Sequence, residues 1–323
     1  MRRCFIAFAV CFVFMLSAGA ARAEALKIGS LPAADSVILH VAADEGLFAA
    51  RGLDVEIVPF QSALELGAAM RAGELAGHFG DLLNVLMQNE RGARQAVIAT
   101  TTHSSPGQRC FALAVSPKRA GELKSLADMK GADTAMSGAT IIDYLLWRMS
   151  GQENLPEGWL NMQEVRQIPV RLQMLLGGMT DSALLPEPLA TMVETKGART
   201  VWDDTGLDEP LAVIALRAPY LKPEVVKPFR AALRDAARRI DADPEKYRAL
   251  MVEKGLLPKP AAASYNMVRF DLFGTPDGMP PLPTREDMER VEGWMSSRGM
   301  LKNAPAYEEI IFPPTPEAEG EPR

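Results

Sequence analysis

Five short polar turns carry most of the chemistry this chain could offer. Each follows an apolar strand-like run and leads into a helix-like one: Leu31-Pro32 through Asp35-Ser36, Gln61-Ser62, Gly80-Asp81, Ser137-Gly138-Ala139-Thr140, and Pro186-Glu187-Pro188. Hydroxyls and the free N–H groups of a first helical turn suit an oxyanion. The carboxylates Asp81 and Glu187 suit an amino group instead. Ser137 to Thr140 is the sharpest anion cradle, because Gly138 permits close backbone approach and the helix dipole favours negative charge by ~0.3–1 kcal/mol, or up to ~2 when partly buried. The same residue types also cap helices, so Ser137 or Thr140, Asp81, and Asp35 or Ser36 have that alternative role. Glu187 sits between two prolines that restrict the backbone on each side. It is either a cleft contact or the partner of a buried arginine.

Other reactive residues are sparse. His40, His78 and His103 are scattered, with no HExxH and no Cys/His spacing, so no metal site is expected. His40 and His78 read as structural; His103, in the hinge-like run Thr101 to Gly107, is the best of the three for ligand contact. There is no G-x-S-x-G, Walker A or G-x-G-x-x-G motif, and no cofactor is expected.

The first 23 residues differ from the rest. Arg2-Arg3, the apolar run Cys4 to Leu16 and the closing Ala21-Arg22-Ala23 follow the order of a secretory signal peptide, with cleavage expected after Ala23 and export to the periplasm. Removal of Arg2, Arg3 and Arg22 takes the formal charge from −6 to −9. That acidity argues against nucleic acid as a partner. Only Cys110 remains after cleavage, so no intramolecular disulfide can form and stability must come from a core. The 48% hydrophobic content supplies one.

The elements that position the turns alternate in type, which implies mainly parallel sheets with crossover helices. Strands are expected at Leu26 to Gly29, Leu53 to Phe60, Leu75 to Phe79 and Val97 to Thr101. A second series follows, with strands at Phe111 to Val115, Asp133 to Met136, Val165 to Val170, Ser182 to Leu185 and Thr200 to Trp202, then a last strand at Leu211 to Leu216. Beyond it come long amphipathic helices, Glu224 to Ile240 and Pro244 to Lys254, and a helix after Thr284 with Asp287 three residues on. Two series with a helical end returning to the first imply two lobes: 24–105 and 209–312 in lobe 1, 106–208 in lobe 2, and a disordered tail at 313–323. The crossings fall near Thr102 to Gln108 and Leu207 to Leu211, where two short segments can absorb a hinge rotation.

These residues also resemble a known family, the periplasmic substrate-binding proteins of ABC importers for sulfonates, nitrate, taurine and thiamine precursors. The carrying stretches are Leu26-Lys27-Ile28-Gly29, Ala42-Ala43-Asp44-Glu45-Gly46-Leu47-Phe48 with Gly52-Leu53-Asp54-Val55, Ala72-Gly73-Glu74-Leu75-Ala76, and Leu184-Leu185-Pro186-Glu187-Pro188-Leu189-Ala190. The resemblance runs from Leu26 to Leu301. It implies an α/β, two-lobed type II periplasmic binding protein fold with a ligand cleft between lobes. It also implies a monomer without catalytic activity that passes a small-molecule ligand to an ABC permease and ATPase complex in the inner membrane. The turns named above, Leu31 to Ser36, Ser62, Asp81, Ser137 to Thr140 and Glu187, are then ligand positions. With no Arg or Lys in any turn, a small organic solute, anionic or zwitterionic, sulfonate-like or thiamine-precursor-like, is favoured over an inorganic anion. The rival reading is an enzyme of thiamine-pyrimidine or menaquinone biosynthesis on the same fold. The export signal and single remaining Cys count against it.

Overall fold

The alternation of strands and helices produces two five-stranded sheets. We describe them from a computed structural model, which describes residues 25–270 and 278–312. The expected signal segment, the tail at 313–323 and residues 272–277 of the Pro/Gly-rich loop lie outside the described residues.

The first sheet is built from β1 (Leu26–Ser30), β2 (Val55–Pro59), β3 (Gly77–Gly80) and β4 (Gln95–His103), connected by α1 (Val37–Asp44), α2 (Ala63–Ala72) and α3 (Leu82–Glu90). The second contains β5 (Phe111–Val115), β6 (Asp133–Met136), β7 (Asn161–Glu164), β8 (Ser182–Pro186) and β9 (Arg199–Asp203). Its helices are α4 (Ile141–Gln152), α5 (Ile168–Gly177) and α6 (Leu189–Glu194). The chain then re-enters the first sheet as β10 (Pro210–Arg217) and finishes in α7 (Pro223–Ala242), α8 (Pro244–Glu253) and α9 (Arg285–Ser297). Strand orders are β2-β1-β3-β10-β4 and β7-β6-β8-β5-β9.

Both sheets are mixed. In each, one strand opposes its two neighbours: β10 runs antiparallel to β3 and β4, and β5 runs antiparallel to β8 and β9. The remaining pairs, β1 with β2 and β3, and β6 with β7 and β8, are parallel. The reversed strand is in each case the one by which the chain enters from the other sheet, so the inversion follows from the crossing itself. Reciprocal bonds tie the two crossings together: Ser104 N–H donates to the Glu209 carbonyl at 2.9 Å, and Glu209 N–H donates to Ser104 Oγ at 2.8 Å.

Two departures from the sequence reading have physical causes. Neither Asp35 nor Ser36 caps α1, because a 3-10 turn at Ala34–Ser36 precedes the helix and Ser36 already has helical dihedrals. Ser36 Oγ instead donates back to the Ala33 carbonyl at 2.8 Å. The expected strand at Val165 to Val170 does not form either. The strand is the polar edge segment β7, and α5 begins at Ile168 with Pro169 in its first turn, where a fixed φ and missing N–H cost nothing. The β-branched Val165, Ile168 and Val170 imitated a strand.

The Glu45-Gly46-Leu47-Phe48 motif serves packing. Leu47 and Phe48 are buried, and the Phe48 ring lies 4.6 Å from that of Phe229 on α7. Gly46 and Gly52 adopt φ of 69° and 77°, left-handed conformations that favour glycine. Glu45 accepts from Lys246 Nζ at 2.6 Å, Tyr247 Oη at 2.9 Å, and Arg239. Burial pushes that carboxyl upward, but these bonds overcome it and hold the group at about 2.

Candidate functional site

A cavity lies between the two sheets, walled by residues from both. It measures about 90 Å³, space for a small molecule. Bonds between the lobes span it. Ala34 N–H donates to the Glu187 carbonyl at 3.0 Å, Ile168 N–H to the Gln61 carbonyl at 3.4 Å, and Gln167 Nε2 to Glu65 Oε1 at 3.2 Å.

Of the sequence candidates, Leu31, Asp35, Gly80, Asp81, Ser137, Thr140 and Glu187 line this cavity. Pro32, Ser36, Gln61, Ser62, Gly138, Ala139 and His103 do not. Gln61 contributes to the seam, and Ser62 caps α2 by accepting from Glu65 N–H at 3.2 Å. His103 faces grooves beside the crossings, its Nδ1 2.9 Å from the Ser104 carbonyl and its Nε2 3.4 Å from Asp208.

The Ser137 to Thr140 turn is already supplied with acceptors from its own lobe. Gly138 N–H donates to Glu164 at 2.9 Å and Ala139 N–H to Asp143 at 3.0 Å. Thr140 Oγ1 caps Ile142 N–H at 3.2 Å while donating to the Ser137 carbonyl at 2.7 Å. Ala139, not Gly138, takes the left-handed conformation, with φ of 56°. The turn's anion-binding groups are thus largely occupied by the protein's own carboxylates.

The three cavity carboxylates differ in their neighbours. Glu187 receives Arg109 Nε at 2.7 Å and Thr191 N–H at 3.1 Å, and Arg109 also bonds Glu194 at 2.9 Å. Burial alone would lower the Arg109 pKa, but Glu194 and Glu187 drive it upward. Asp81 caps α3 through Asn84 N–H at 2.7 Å and faces the Ile141 N–H at the start of α4. Burial pushes its pKa to about 6. Asp35 accepts from Thr102 Oγ1 at 2.6 Å and Thr101 Oγ1 at 3.3 Å, and burial raises its pKa despite those bonds. No cation lies within ion-pair distance of Asp35 among the described residues.

Arginines enter the wall from outside the expected turns. Arg171, on α5, is 1% exposed, with Nη1 donating to the Val165 carbonyl at 3.1 Å and Nε without a partner. Burial lowers its pKa to about 10, and Glu164 only partly opposes this. Arg166 bonds Glu164 at 2.7 Å and is half exposed. The absence of basic residues from the turns therefore does not describe the cavity. Arg166 lies in the β7–α5 turn, which the misassigned strand had concealed, and Arg171 sits one turn into the helix. Arg109, Thr102, Gln108, Tyr265 and Phe79 also line the cavity and carry no local sequence signal.

Cys110 also lines the cavity. Burial and the nearby Asp204, Asp35 and Glu187 push its thiol well upward, opposite to what a nucleophile requires. Among the described residues, no group of three or more His, Cys, Asp or Glu side chains could hold a metal ion.

Two sheets joined by two crossings, with a small cavity between them, define a two-lobed type II periplasmic binding protein fold. The chain belongs to the NMT1-like family, whose model matches residues 19–253. Its fold is similar to that of the alkanesulfonate-binding protein SsuA from Xanthomonas axonopodis pv. citri bound to MOPS, at a TM-score of 0.71 and 18% identity over 88% of this chain and 96% of that one. The periplasmic aliphatic sulphonate-binding protein SsuA from Escherichia coli gives 0.70 and 19%, over 89% and 97% of the two chains. The periplasmic nitrate-binding protein NrtA from Synechocystis PCC 6803 gives 0.63 and 14%, over 86% and 83%. No curated protein matches by sequence.

Proposed function

We propose that the protein is the extracytoplasmic solute-binding component of an ABC importer. It captures a small anionic or zwitterionic organic solute by closing its lobes and hands it to a membrane permease and its ATPase. The observation that carries this reading is the interlobe cavity, small and lined in part by charged groups, with lobe-to-lobe bonds at Ala34, Gln61 and Gln167 that break when the lobes open. Residues 24–105 and 209–312 form one lobe and 106–208 the other, with the hinge at the two crossings. The protein acts in the periplasm as a monomer after cleavage at Ala23. The ligands named for similar folds, alkanesulfonates, MOPS and nitrate, support a small oxyanion-bearing solute.

An enzyme that used a Cys nucleophile or a His base would need that side chain active in the cavity. Cys110 is held as the thiol and His103 lies outside. The test is thermal unfolding against a panel of sulfonates, amino acids and pyrimidines, with recovery of any stabilising compound. A ligand at 100 times its Kd adds ~2.7 kcal/mol. The compound is expected back unchanged; its conversion would overturn the reading.

A further inference from the structure

In the cavity wall, Arg171 and Asp35 are buried groups of opposite sign that have neither a counter-ion nor a full set of backbone partners. Arg171 is almost wholly buried, makes one bond to a backbone carbonyl, and has an unpartnered Nε. Asp35 is 9% exposed, and its side-chain partners are the hydroxyls of Thr101 and Thr102. A buried charge without a partner is costly, and proteins seldom keep one unless something else completes it. Of the other ionic groups of the wall, Glu187 is paired with Arg109 and Arg166 with Glu164, and Asp81 is taken up by backbone N–H groups at the starts of α3 and α4.

Both groups line the cavity. They also belong to opposite lobes, Asp35 before α1 and Arg171 on α5. A solute that spans them links the lobes by charge, and its binding requires closure.

We propose that the solute is a zwitterion, its oxyanion on the Arg171 guanidinium and its ammonium on the Asp35 carboxylate. This inference rests on the solute-capture reading and narrows it. A carboxylate and a sulfonate are both suited to a guanidinium, which presents paired donors to two oxygens. At the other end, two hydroxyls aimed at one carboxylate oxygen leave the second oxygen for the ligand. Burial weakens both charges, raising Asp35 and lowering Arg171, and each would be restored by an opposite charge from the ligand.

The experiment is isothermal titration of the full mature chain with matched series: ω-amino carboxylates of two to six carbons, the corresponding aminoalkanesulfonates, and for each the analogue lacking the amino group or lacking the acid. At least one zwitterion is expected to bind, with both of its truncated analogues at least 100-fold weaker. Comparison of the carboxylate and sulfonate arms identifies the oxyanion. Asp35→Asn is expected to weaken the zwitterion at least 30-fold while changing the affinity of its deaminated analogue less than threefold. Arg171→Gln is expected to abolish both. Equal binding of a zwitterion and its deaminated analogue to the unaltered protein overturns the proposal and needs no variant. If only uncharged or purely anionic solutes bind, the zwitterion inference fails while solute capture stands. If no compound of any charge binds, both fail.

Discussion

Arg109 and Arg171 are both arginines in the wall of the same cavity, and they differ in every respect that matters for binding. Arg109 is held by two carboxylates, Glu187 and Glu194, and by Thr191 and Thr200. Arg171 has a backbone carbonyl and an unpartnered Nε. Glu187 and Asp35 form the parallel contrast among the acids. Arg109 is satisfied by Glu187 and Glu194 within the protein, whereas Arg171 and Asp35 are the pair proposed to hold the solute. Lining a cavity is therefore a weaker indicator of ligand contact than lining it without a counter-charge.

Substitutions that separate the two pairs give the largest effects. Arg109→Ala strands Glu187, which is 6% exposed, and breaking such a pair costs about 3 kcal/mol. Urea unfolding should show that loss. Arg171→Met removes a buried charge that has no ionic partner, so its cost should stay within about 1 kcal/mol while solute binding disappears. If Arg171→Met destabilised as much as Arg109→Ala, the contrast between structural and binding arginines would collapse.

Acidity offers an independent view of the unpaired acids. Asp81 is raised from 3.8 to about 6 by burial, so the folded state holds its proton more tightly than the unfolded chain. Its contribution is greatest below pH 4 and is lost as pH rises through 6. The difference is on the order of 3 kcal/mol, at about 1.4 kcal/mol per pH unit. Asp81→Asn should flatten the stability profile between pH 4 and 6. An unchanged profile would show that Asp81 is hydrated in the folded state. The smallest effect concerns Ser62. As the α2 cap outside the cavity, its replacement by Ala should cost about 1 kcal/mol and leave solute affinity within twofold.

Much of the fold was legible from periodicity and turn chemistry. The βα alternation, the reciprocal capping box at Thr284 and Asp287, and the amphipathic face of α4 all form as the residues dictate. The direction of β5 and β10 was not, since strand polarity depends on where the chain re-enters a sheet. Nor was the β7–α5 boundary, where β7 lacks an apolar face and Pro169 starts a helix inside an apparent strand. At the cavity, turn residues such as Asp35, Asp81 and Glu187 were visible because polar groups stand out between apolar runs. Whether each was paired was invisible, because Arg109 is 78 residues from Glu187 and Thr102 is 67 from Asp35. Arg171 looked like an ordinary helix residue, and only packing shows it buried.

The most direct measurement is a crystal structure of the mature chain bound to the tightest zwitterion of the titration series. The account places the solute's oxyanion about 2.7–2.9 Å from Arg171 and its ammonium at a similar distance from Asp35, with the lobes closed. A solute whose charges rest instead on Glu187 or on the N–H groups of Gly138 and Ala139, with Arg171 still unpaired, would contradict it.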